Sequence, residues 1–254
     1  MNAVSVIIIT KNEADNISNC ISSARLVSND IIVIDSGSTD ATVALAQQAG
    51  AKVISVTWSG FGAARNTGAA GAQNDWILAI DADERVTKNM AASVKEMNFT
   101  DGLVIYGFKR QNYFLGKKIR FGQWGLDTVY RLYNRKHVSW DLSPVHEHLT
   151  GENTSKKMLK GAIDHYPVVR EEQNTEKTIR YATLNAEKYF KQGKKSTLEK
   201  RYLSPLFDFV KSYIFLLGFL DGKQGFVIAR STSRYVQLKY RFLHELNRSK
   251  ATKS

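Results

Sequence analysis

Four times in the first eighty residues an apolar run stops at polar residues, and between the stops the apolar positions fall at helical spacing. Val4 to Ile9 is β-branched and ends at Thr10-Lys11-Asn12-Glu13, Ile31 to Ile34 ends at Asp35-Ser36-Gly37-Ser38-Thr39-Asp40, and Lys52 to Val56 and Trp76 to Ile80 follow. Short continuous runs of this kind predict strands buried on both faces, as in a parallel sheet. Ala14 to Leu26 carries Ile17, Ile21 and Ala24 at helical spacing. A second helix runs through Val43, Leu45 and Ala46 to Gly50, with Thr39 or Ser38 as its cap, and a third covers Ala63 to Ala72. Strands alternating with helices predict βαβ units, an α/β fold with right-handed crossovers.

From Gly102 the texture changes. Leu103 to Arg110, Tyr113 to Leu115, Lys118 to Phe121 and Thr128 to Tyr133 read as short aromatic strands punctuated by glycines. Met158 to Ile163 is a last strand, ended by Asp164-His165-Tyr166-Pro167. Glu171 to Phe190 is helical, Gln192 to Ser196 is a solvated break, and Leu198 to Leu220 is rich in aromatics. Its uncharged core, Ser212 to Leu220, spans about 14 Å as helix. A bilayer needs about 20 apolar residues, so this stretch is too short to cross. The expected division is 1–168 as the catalytic part and 169–254 as a helical appendage.

Charge sharpens that division. The net +12 splits into +1 over residues 1–150 and +11 over residues 151–254. A field of that sign attracts nucleic acid, anionic lipid or an anionic substrate. From Gln224 to Leu246, Val227, Tyr235, Leu238 and Phe242 alternate with Arg230, Arg234, Lys239 and Arg241, which fits helices lying in a membrane interface. The plainer reading is helices packed on the sheet with their cations in water. A single cysteine, Cys20, excludes an internal disulfide and reads as a packing residue. No basic leader or cleavable apolar segment precedes the first strand, so the expected location is the cytoplasm.

The candidate chemistry gathers around Asp81-Ala82-Asp83-Glu84, which ends the fourth apolar run. Unpaired carboxylates are costly to bury, so Asp81 and Asp83 are expected at the strand's carboxyl end, at the mouth of a crevice. On an extended backbone they point one way and Ala82 the other, which suits a divalent metal carrying nucleotide phosphates. The plainer reading makes them a loop and a cap for the helix of Thr87 to Met97. Gly60-Phe61-Gly62-Ala63-Ala64-Arg65 begins like a dinucleotide fingerprint, but it follows the third strand and carries Arg at the sixth position. It reads instead as a flexible loop delivering Arg65 and Asn66 from a helix start, or as a glycine turn with an exposed arginine. Trp124 and Asp127 share an expected loop, where an exposed Trp beside a carboxylate suits sugar binding and a packed one anchors the loop. His146-Glu147-His148 lacks the i, i+4 spacing of a zinc helix, which leaves Glu147 as a candidate general base. His165 is a candidate to complete a metal site, or a plain strand-end histidine.

Val6 to Glu13 (VIIITKNE), Ile32 to Asp40 (IVIDSGSTD), Gly62 to Gly68 (GAARNTG) and Leu78 to Glu84 (LAIDADE), in this order, resemble the family 2 inverting glycosyltransferases. The resemblance covers residues 4 to about 165. It implies the GT-A fold, a Rossmann-like, mostly parallel central sheet flanked by helices, here with a C-terminal helical appendage. Asp127 to Tyr133 (DTVYRLY), Val145 to Leu149 (VHEHL) and Asp221 to Ala229 (DGKQGFVIA) resemble the bacterial lipopolysaccharide inner-core glucosyltransferase group. The resemblance implies that Thr10, Asn12 and Glu13 line the nucleotide site, that Asp35 accepts a hydrogen bond from the base, and that Arg65 approaches the nucleotide. Asp81 then faces the ribose, and Asp83, in the DXD motif, holds Mn²⁺ or Mg²⁺ with His165 as an additional ligand. Glu147 falls where related members place the base, although many of them carry two adjacent acids there. The implied partners are a UDP-sugar, a lipid-linked saccharide and the anionic inner face of the cytoplasmic membrane, with no nucleic acid. Two rivals are transfer to a polyprenyl phosphate, and a non-catalytic basic module binding membrane or nucleic acid.

Overall fold

A computed structural model describes residues 4–125, 127–143, 147–168 and 171–251. The chain divides into two units. The first comprises Met1–Gln111 with Asp127–Tyr166, and the second Asn112–Leu126 with Pro167–Ser254. Residues 112–126 therefore join the helical region, where the expected boundary placed them with the catalytic part.

The first unit begins as βαβ units: β1 (Val4–Thr10), α1 (Ile17–Ala24), β2 (Ile31–Asp35), α2 (Thr42–Gln48), β3 (Lys52–Ser55), α3 (Phe61–Ala70) and β4 (Trp76–Asp81). β1 pairs in parallel with β2 and β4, and β2 with β3. Every residue of β1 and β2 is buried because helices cover both faces. Val6 and Ile8 pack with Ile17, Cys20 and Ile21 of α1. Ile7 and Ile9 turn the other way, with Ala64 and Ala69 of α3. Cys20 is thus a packing residue. α2 is not capped by Thr39 or Ser38, since Asp40 Oδ1 accepts the Thr42 N–H at 3.0 Å.

After β4 come β5 (Glu84–Val86), α4 (Lys88–Lys95), β6 (Val104–Phe114), β7 (Lys117–Lys118), β8 (Asp127–Asn134), β9 (Ser139–Trp140), β10 (Leu149–Thr150) and β11 (Ser155–Val168). The main sheet runs β3-β2-β1-β4-β8-β6-β11-β5, and β8 lies antiparallel to both β4 and β6. β6 is one strand where two short ones were expected, because the polar Gln111 and Asn112 continue it instead of breaking it. β11 also runs on through Asp164 to Pro167, so His165 sits inside a strand and not at its end.

The second unit adds α5 (Glu171–Lys191), α6 (Leu198–Val210), a π turn (Lys211–Phe215), a 3-10 turn (Gly218–Asp221) and α7 (Gly222–Ala251). Asp221 fixes its start, accepting the Arg120 and Phe121 N–H groups at 3.0 and 2.8 Å. No single helix among the described residues is long and apolar enough to cross a membrane.

Candidate functional site

The parallel register sets Thr10 beside Asp35 and Ile9 beside Asp81, so three strand ends deliver polar side chains to one edge of the sheet. This is the carboxyl edge, where ligands of open α/β sheets bind. The Thr10 hydroxyl is buried there and has no hydrogen-bond partner among the described residues. Asp35, also buried, accepts the Gly37 and Ser38 N–H groups at 3.0 Å each, and a carboxylate so held keeps capacity for a further donor. Asn12 adopts the left-handed backbone, φ 55°, which Asn tolerates better than most residues. Its N–H donates to Ser38 Oγ at 2.8 Å and its Oδ1 accepts the Thr39 N–H at 2.8 Å, closing one loop onto the other. Glu13 faces the start of α1, accepting from Asn16 Nδ2 at 2.8 Å.

Arg65 lies near the start of a helix, as expected, and is not exposed. α3 begins at Phe61, so Arg65 lies in its second turn and is buried. Two features hold it there. Asn66 clasps the backbone of Trp140, donating to its carbonyl at 2.8 Å and accepting its N–H at 3.0 Å. The Trp140 ring then covers the Arg65 guanidinium at 4.5 Å. Arg65 donates to Asp81 Oδ1 at 2.7 Å and is ion-paired with Glu147. Asp81 and Glu147, 66 positions apart, therefore meet at one guanidinium.

The carboxylates of Asp81 and Asp83 have separate partners. β4 ends at Asp81, and Ala82 and Asp83 form a turn, so the extended-strand geometry expected of the pair does not apply. Neither caps the next helix, because Thr87 does so, accepting the Met90 N–H at 3.3 Å. Desolvation pushes the Asp81 carboxyl up, but Arg131 and Arg65 outweigh it and hold the group well below the usual carboxylate range. Asp83 lies 3.5 Å from His165 Nε2, brought there by the β5 to β11 pairing and by the Tyr166 N–H donating to the Asp83 carbonyl at 2.8 Å. No group of three metal-binding side chains occurs among the described residues. Asp83 and His165 could supply a carboxylate and an imidazole ligand to a divalent cation, and an imidazole donor suits Mn²⁺ better than Mg²⁺.

Three residues of the site escaped the sequence reading. Glu84 is fully buried, receives the Asp81 N–H at 3.0 Å, and pairs with Arg131 at 3.1 Å and Arg110 at 3.4 Å. Arg131 also reaches Asp81 Oδ2 at 2.8 Å. Arg110 Nε donates to Asp127 Oδ2 at 2.7 Å, so Asp127 opens β8 in an ion pair and not in a loop. Charges alternate along the row Glu147, Arg65, Asp81, Arg131, Glu84, Arg110, Asp127. Trp124 belongs to the second unit and is half-buried, its ring edge-on to Phe114 at 5.8 Å, so it is not the exposed platform expected. His146 lies outside the described residues, and His148 is exposed.

Comparison with known proteins gives these residues a setting. Residues 5–151 match the family model described as Glycosyl transferase family 2. An uncharacterized glycosyltransferase of Rickettsia felis is 31% identical over 89% of this chain and 84% of its own length. The lipopolysaccharide core biosynthesis glycosyltransferase LpsC of Rhizobium meliloti is 28% identical over 93% of each chain. Among solved structures, glucosyl-3-phosphoglycerate synthase of Mycobacterium tuberculosis, crystallised with Mn²⁺, UDP and glucosyl-3-phosphoglycerate, is similar at 26% identity and a TM-score of 0.34. That match covers 44% of this chain and 44% of the other, less than half its length, and assigns no residue here.

Proposed function

Because this chain belongs to glycosyl transferase family 2 and is a glycosyltransferase, we propose that it moves glucose from a UDP-sugar to a lipid-anchored saccharide such as the lipopolysaccharide inner core. The likeness to LpsC supports the acceptor class. The observation that carries the reading is the meeting of Asp81 and Glu147 at Arg65, which joins the nucleotide end of the pocket to a carboxylate able to take a proton.

Transfer to a sugar hydroxyl needs deprotonation on one face of the anomeric carbon and a stabilised leaving group on the other. Glu147, only 13% exposed at its side chain, takes the acceptor's proton as general base. The hydroxyl oxygen then bonds to the anomeric carbon as the bond to the UDP oxygen breaks, and attack from opposite the leaving group inverts the centre. Asp35 and the Thr10 hydroxyl hold the nucleoside. Asp83 and His165 would hold a divalent cation, which when bound would supply Lewis-acid stabilisation to the departing diphosphate. Arg65 fixes both carboxylates and keeps Glu147 from swinging away. An acceptor of this class also brings the enzyme to an anionic membrane surface.

The test is turnover of UDP-glucose with inner-core lipopolysaccharide acceptors and assignment of the new linkage by NMR. A β-linked product is expected, with kcat for Glu147→Gln lower by about 10²- to 10⁴-fold and UDP affinity unchanged. An α-linked product, or full turnover in Glu147→Gln, would overturn the proposal.

A further inference from the structure

Along α6 the side chains of Leu198, Tyr202, Leu203, Leu206 and Phe207 are each 60 to 68% exposed. The exposed apolar series continues through Ile214, Phe215 and Leu220, where the chain passes through the π and 3-10 turns into α7. Apolar surface on this scale is rare in soluble proteins unless something docks on it.

What docks is indicated by the adjoining charge. An open cleft of about 420 Å³ lies between α6 and α7, lined among others by Arg201, Tyr202, Arg241, His244, Glu245 and Arg248. Three guanidiniums and one carboxylate line it, and the carboxylate, Glu245, pairs with Arg241 at 3.1 Å and not with Arg201. Arg201 Nε is buried without a hydrogen-bond partner among the described residues. Guanidiniums clustered in this way bind phosphate through paired N–H donors. Tyr202 belongs both to the cleft and to the apolar row, so the two features form one surface.

We propose that the α6–α7 cleft is a phosphate-headgroup site for an anionic phospholipid bilayer, with the apolar row of α6 resting among the upper acyl chains. The proposal deepens the membrane partner named with the lipid-linked acceptor and rests on that reading for its purpose, but its residues are separate from those assigned to sugar transfer.

Sedimentation of the full chain with phosphatidylglycerol-containing vesicles, against pure phosphatidylcholine, tests it. Binding to the anionic vesicles alone is expected. Arg201→Gln with Arg241→Gln is expected to weaken it roughly 30-fold, since each cation near an anionic surface contributes about fivefold. Lys191→Gln with Lys195→Gln removes the same charge elsewhere on this unit and is expected to cost less. Leu206→Ser with Phe207→Ser alters exposed positions and is expected to lose vesicle binding while keeping its melting temperature. Equal losses in the two charge variants would overturn the headgroup site, and undiminished binding by the serine variant would overturn the apolar contact. Tight binding of inorganic phosphate with no vesicle binding, or of a 20-nucleotide RNA that vesicles do not displace, would overturn the lipid assignment. UDP binding measured on the same variants separates the two readings. If UDP fails to bind while vesicle binding follows the expected pattern, the sugar-transfer reading falls and this one stands.

Discussion

At the scale of single residues, the site depends on charges that are paired before any ligand arrives. Glu84 receives Arg131, Arg110 and the Asp81 N–H. Glu84→Ala leaves Arg131 short of one acid in a buried place and is expected to destabilise the protein by about 3–5 kcal/mol in urea denaturation, whereas a change near zero would show the row to be ornamental. Thr10 offers the opposite case. Its buried hydroxyl lacks a partner among the described residues, so Thr10→Val is expected to leave stability unchanged or slightly raised and to weaken UDP binding about 3- to 10-fold by calorimetry. Unchanged UDP affinity would remove Thr10 from the pocket. Asp81, Asp83, Arg65 and Glu147 stood out in the sequence because their types and their places after apolar runs were unusual. Arg131 and Glu84 did not, because a buried pair 47 positions apart leaves no local mark, although three acids in four residues called for cations somewhere.

At the scale of elements, the geometry of the site is set by how closely α3 approaches β9. A Cβ on Gly62 would come within 1.9 Å of the Asp141 carbonyl oxygen. Asp141 in turn exchanges backbone and side-chain hydrogen bonds with His148, next to Glu147, its N–H donating to the His148 carbonyl at 2.9 Å. Gly62→Ala is expected to cost about 1–3 kcal/mol and to lower kcat through displacement of Glu147, with UDP affinity falling less. Wild-type kcat in this variant would contradict the account. The parallel strands were legible because β2 and β4 are continuous apolar runs, β1 nearly so, and β3 keeps an apolar centre between Lys52 and Ser55. The antiparallel part was read less well. β6 passes through polar residues, and β11 carries Asp164 and His165 within a strand, so their limits follow from pairing with neighbours and not from local pattern.

At the scale of the whole molecule, the two units divide the labour proposed here. The first carries the residues proposed to hold nucleotide, metal and base, and the second the basic and apolar surface proposed to meet a bilayer. The charge asymmetry set the C-terminal part of the chain apart, whereas the membership of residues 112–126 could not be read from it, because their tie to Asp221 spans about a hundred positions. The central claim is that UDP and a divalent cation bind together at Asp83, and calorimetric titration of UDP with and without Mn²⁺ tests it most directly. UDP is expected to bind tightly with Mn²⁺ and weakly without it, and Asp83→Ala is expected to bind UDP equally weakly under both conditions. Metal-independent binding, or full Mn²⁺-dependent affinity in Asp83→Ala, would contradict the account.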